Sequence, residues 1–118
     1  MNLEELFILR EKISYDDTLL KKKDLCAAES KYLYRYKLEY LMSQLIKHEK
    51  NTTLLENLIL KYENRIKYTN YNLTLLLYKT YFSINNKNTL LYKKFSEYLM
   101  LNFHEYPDSV EAAKQINY

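Results

Sequence analysis

The chain has 118 residues, 47% of them hydrophobic, with 18 Lys and Arg against 15 Asp and Glu for a formal charge of +3. That length suits one domain (residues 1–118) burying about 65% of its unfolded surface, and the balance is too apolar for disorder and too weakly basic for a strongly cationic nucleic-acid binder. Gly is absent, which excludes a phosphate-binding P-loop, a dinucleotide-binding glycine turn and a nucleophile elbow.

The first predicted element is a helix from Asn2, as N-cap, to about Ile13. Its acidic residues precede a short apolar stretch, the wrong order for a secretory signal. No window approaches the roughly 20 apolar residues that span a bilayer. A cytoplasmic protein without membrane association is expected. The bias toward Lys, Asn, Ile and Tyr suits an AT-rich genome, such as that of a phage, virus or bacterium.

Ser14 and Asp17 have capping-box spacing for a second helix, which then meets no breaker until about Lys50. Such a helix is about 50 Å long, far more than the radius of gyration of about 13 Å for a domain of this size. It must overhang, kink or break. Cys26 to Ser30 is the expected kink, with the Ser30 hydroxyl bonding back to the Cys26 carbonyl. If the helix is straight, the end from Leu19 to Ala28 offers Leu20, Leu25 and Ala27 to a second copy or a partner helix, with Lys21, Lys22 and Lys23 at the rim.

Within this helix, Lys31 to Tyr40 reads KYLYRYKLEY. Its period-two alternation fits a strand, yet helix formers flank it on both sides and no turn signal bounds it. A helix is therefore predicted. Tyr32, Tyr36 and Tyr40 fall on one side, while Leu20, Ala27, Tyr34, Leu38, Leu41 and Leu45 form the expected core seam. Lys31, Arg35 and Lys37 are then expected to face solvent.

Three shorter helices follow. Asn51 opens the first, where Thr53 and Glu56 have capping-box spacing; Asn70 and Asn88 open the next two, and Asp108 with Ser109 opens a C-terminal stub. These positions are 19, 18 and 20 residues apart, a spacing for antiparallel helices joined by short turns. Without Gly, any turn that needs positive φ must use Asn or Asp. The predicted fold is an all-α bundle of about five helices plus the stub, with a short stack of antiparallel hairpins as the alternative arrangement.

The closing stretch LYKKFSEYLMLNFHEYPDSVEAAKQI resembles the end of a tetratricopeptide repeat. An aromatic-rich helix ends in the phrase Tyr106-Pro107-Asp108-Ser109, and a new helix begins with the small pair Ala112 and Ala113. The resemblance covers about 26 residues and implies a protein-binding scaffold. Ser83, Phe95 and Asn102 depart from it, standing where that family places Gly or Ala.

Catalytic signals are weak throughout. His48 and His104 are the only histidines; His48 has no Cys or carboxylate at i+4 to share a metal, and Asp108, at i+4 from His104, is separated from it by Pro107. Cys26, the lone cysteine, sits in an apolar context expected to raise its pKa. No catalytic residue, metal or cofactor is expected, and the chain is read as not an enzyme. Tyrosine is the unusual quantity, at 14 residues, and it suits the rim of a core or an interface.

The favoured expectation is a non-catalytic protein-interaction module (an adaptor, a chaperone or a small inhibitor) that contacts its partner, or a second copy in a homodimer, through Leu20, Lys21, Lys22, Lys23, Tyr32, Tyr36 and Tyr40. The alternative is nucleic-acid binding by residues 57–104, where seven Lys and Arg oppose two Glu. Lys61, Arg65, Lys67, Lys79, Lys93 and Lys94 would meet phosphates there, and the interleaved tyrosines Tyr62, Tyr68, Tyr71, Tyr78, Tyr81 and Tyr92 would stack on bases.

Overall fold

The computed structural model describes residues 2–16, 25–66, 69 and 71–103, with the side chains of 14–32 and of Phe103 outside the description. Among the described residues there are five helices: α1 (Leu3–Asp16), α2 (Leu25–His48), α3 (Thr52–Tyr62), α4 (Leu73–Ile84) and α5 (Thr89–Phe103). The all-α expectation holds, and Tyr32 to Tyr40 is helical. None of the helices described is long and apolar enough to cross a membrane.

Side chains of the N-capping residues set where these helices begin. The Asn2 Oδ1 accepts the Glu5 amide at 2.9 Å, and Glu4 and Glu5 add negative charge to the first turn. The helix continues through Ser14 to Asp16, so Ser14 lies inside α1 and not at the start of a helix. Asp17 lies outside the described residues. The Asn51 Oδ1 accepts the Leu54 amide at 3.2 Å, which places Thr53 inside α3 and leaves the cap to Asn51. Glu49 tightens this corner by accepting the Lys50 and Asn51 amides at 3.1 and 3.0 Å. At α5, the Asn88 Oδ1 accepts the Leu91 amide at 3.0 Å, as expected.

The start of α4 is Asn72 rather than Asn70, which lies outside the described residues. Asn72 adopts φ 42°, ψ 67°, the left-handed region, and its Oδ1 accepts the Leu75 amide at 3.3 Å. Among the described residues it is the one with positive φ. Asn tolerates this conformation better than other residues with a Cβ, and here the cap offsets part of its cost. The Gly-free chain thus uses Asn in the role glycine would normally take.

Helix α4 lies at the centre and packs against both α2 and α3, while α1 packs on α2. It buries Leu73, Leu77, Tyr78, Tyr81 and Phe82. The Phe95 ring of α5 stacks on Tyr78 (centroids 4.7 Å, 6° between planes) and on Phe82 (5.7 Å, 12°). Leu3, Leu6 and Phe7 of α1 and Leu55, Leu58, Ile59 and Tyr62 of α3 close the remaining sides of the core.

The seam of α2 differs from the expected one. Leu38, Met42 and Ile46 are buried, whereas Tyr34, Leu41 and Leu45 are exposed at 51%, 47% and 36%. Arg35 is also corrected: its side chain is only 15% exposed and leans on Glu39, while Lys37 does face solvent. Lys31, Leu20 and Ala27 have side chains outside the description. The reason for the shift is that two polar residues, Glu39 and Ser43, sit on the buried face. Glu39 is neutralised by Arg10, and the Ser43 hydroxyl donates to the Tyr40 carbonyl at 2.6 Å, so each of the two has a partner inside the protein. Leu41→Ala should therefore change stability by less than about 0.5 kcal/mol, while the same truncation at Met42 should cost upward of about 2 kcal/mol. Urea unfolding of the two variants checks the assignment.

Within the described residues α2 has 24 residues, about 36 Å, and the Cys26–Ser30 segment is part of it. Residues 17–24, which include the part of the expected overhang before Leu25, lie outside the described residues, as does the C-terminal stub.

Candidate interaction surface

Outward from Leu38, Met42 and Ile46, α2 presents a face that its own domain does not cover. Leu33 is 55% exposed, Tyr36 47% and Tyr40 51%, forming a row at steps of three and four residues. Tyr34, Leu41 and Leu45 form a second row on the adjoining side. Exposed apolar side chains grouped like this mark interaction sites more than scattered ones do. Leu90, Met100 and Leu101 of α5 are more exposed still, but they are divided between the two ends of that helix.

Tyr71, in the connection before α4, holds the first row in place. Its ring lies 5.5 Å from Tyr36 and 5.8 Å from Tyr40, centroid to centroid, at steep angles to both. A hydrogen bond with Tyr36 is the main reason the Tyr71 hydroxyl is pushed up from 10.0 to about 12; partial burial and the nearby Tyr36, Tyr40 and Glu39 add to it. The sign follows directly. Because the folded chain holds the proton more tightly, this contribution to stability is complete below pH 10 and is lost as pH rises toward 12. Tyr36→Phe should return the Tyr71 midpoint toward 10, read by ultraviolet titration of the phenolate. An unmoved midpoint would mean that the three rings do not form this cluster in solution.

Of the residues nominated from sequence, Tyr36 and Tyr40 stand together on this face. Leu20, Lys21, Lys22, Lys23 and the Tyr32 side chain lie outside the described residues. Sequence reading assigned Tyr34, Leu41 and Leu45 to the core and so missed them as surface, and it had no signal for Tyr71 meeting α2. His48 is exposed at the last residue of α2. Among the described residues no group of three or more His, Cys, Asp or Glu is placed to hold a metal.

Most of the described interleaved tyrosines of 57–104 are not available to stack on bases. Tyr62, Tyr78 and Tyr81 are core, which leaves Tyr71 and Tyr92 of the described interleaved tyrosines partly accessible. The Tyr78 hydroxyl donates to Glu63 at 2.7 Å, and Lys94 donates to the same carboxylate oxygen at 2.8 Å. Burial first, and then Glu63, raises the Tyr78 hydroxyl far above the usual tyrosine range. Arg65 pairs with Glu11 at 3.3 Å, and the Lys61 ammonium lies over the Tyr62 ring at 5.3 Å. Lys79 and Lys93 are exposed, and Lys67 is outside the description.

Comparison with known family models, with curated proteins and with solved structures finds no match. The phrase from Tyr106 to Ser109 and the pair Ala112 and Ala113, which carry the tetratricopeptide resemblance, lie outside the described residues.

Proposed function

We propose that the chain is a non-catalytic protein-interaction module that docks its partner on the outer face of α2. One observation carries this reading: Tyr36 and Tyr40, held by Tyr71, stand exposed beside Leu33, Tyr34, Leu41 and Leu45. Tyrosines with restricted side chains lose little freedom on binding, and Tyr is enriched among residues that dominate interface energy. The weak tetratricopeptide resemblance points the same way, toward a scaffold without chemistry of its own.

The test is affinity capture from native lysate, with and without nuclease, using the wild-type chain and a Tyr40→Ser, Leu41→Ser variant. A protein retained through nuclease treatment and lost with the variant is expected. Capture that disappears with nuclease, or tight binding of single-stranded RNA that weakens steeply with salt, would move the function to Lys61, Lys79 and Lys93 and overturn the proposal.

A further inference from the structure

Between Leu33 and Leu45 the outer face of α2 is apolar except for Lys37 near its centre and the half-buried Gln44 two turns beyond it. Lys37 is exposed, with Leu33 and Tyr34 one turn before it and Tyr40 and Leu41 one turn after it. Residues three and four apart on a helix are surface neighbours, so the Lys37 ammonium rises from the middle of four large side chains that are each about half exposed. The other charged group exposed between residues 33 and 47 is Lys47. Glu39, the one carboxylate in that span, is fully buried and held by Arg10 at 2.7 Å and Arg35 at 3.4 Å. The adjoining helix α4 has Lys79 and no carboxylate.

A partner that covers the two apolar rows also takes Lys37 out of water. An ammonium group buried without a counter-charge is costly, and between residues 33 and 47 of α2 no carboxylate is exposed to supply one. We infer that the occupant is an acidic amphipathic segment of a different protein, with apolar side chains at helical spacing and an Asp or Glu placed opposite Lys37. A second copy of this chain fits worse, because pairing through residues 33–45 would set one Lys37 against another, and no carboxylate is exposed in that span. The inference rests on the interaction-module reading and specifies the chemistry of its partner.

The test is selection on the full-length chain from a display library of short peptides, with leucines at helical spacing and Asp, Glu, Lys, Arg or Ser varied between them. The peptides recovered should be acidic, and Lys37→Glu should weaken them about tenfold or more. The same library selected on the Lys37→Glu chain should yield basic peptides instead. Leu41→Ser should abolish binding by both sets while circular dichroism stays helical, since the site is surface. Peptides recovered without regard to charge, or unaffected by Lys37→Glu, overturn the acidic partner and leave the module reading standing. So does Lys37-dependent binding to phosphatidylserine vesicles in place of peptides, or a concentration-dependent dimer that Leu41→Ser dissolves. An empty selection overturns it as well, and capture from lysate then decides the module reading by itself.

Discussion

Arg10→Met should destabilise the fold by about 3–5 kcal/mol, because it leaves a carboxylate buried without its main counter-charge. Arg10 and Glu39 have fully buried side chains, and their contact at 2.7 Å joins α1 to α2 across 29 residues of sequence. Breaking such a pair costs far more than the pair contributes when intact, since the ion left behind has lost its hydration. Arg35 touches the same oxygen at 3.4 Å and is partly exposed, so it offsets only part of the loss. The double variant Arg10→Met, Glu39→Leu should recover most of the stability, with Arg35 free to turn outward. Chemical denaturation of the two single variants and the double variant gives the coupling. Independent, additive losses would show that the pair is not formed in solution.

Phe95→Ala should cost about 3–5 kcal/mol, the upper range for removing a buried aromatic ring. Phe95 is fully buried and lies nearly parallel to Tyr78 and Phe82. Tyr78 cannot easily shift to fill the cavity, because its hydroxyl is held by Glu63, which also receives Lys94. A site that cannot collapse keeps its cavity and bears the full cost. Phe95→Leu should lose less, and thermal unfolding of the two variants checks the order. The residue departs from the tetratricopeptide pattern, which places a small side chain at this position. In this fold its bulk fills the space between α4 and α5.

The helices were legible because their N-caps are, and because no Gly interrupts them. Asn2, Asn51 and Asn88 each begin a helix by the same side-chain geometry, which is local and needs no tertiary knowledge. The orientation of α2 was not legible. That helix carries apolar residues on nearly every side, so apolar periodicity supports two seams about equally. The buried seam includes Glu39 and Ser43, which made it look like the polar one. Only the arrival of Arg10 from α1 turns Glu39 into a core residue, and nothing near either residue in sequence announces the partner. The exposed face of α2 was half visible for the same reason: Tyr36 and Tyr40 were read as neighbours on one side of the helix, but Leu41 and Leu45 were assigned to the interior.

Asn72 has a consequence for how the molecule opens. Its side-chain oxygen accepts from the Leu75 amide of α4 at 3.3 Å and from the Tyr98 hydroxyl of α5 at 3.1 Å. The first contact holds the left-handed turn, and the second ties α5 to that turn. Fraying at the start of α4 therefore also removes a tether of the last helix, and detachment of α5 weakens the turn. Backbone amides in these two places should exchange with solvent deuterium as one cooperative unit. Tyr71, the residue before Asn72, packs on Tyr36 and Tyr40, so the same opening would also release the tyrosine row on the outer face of α2.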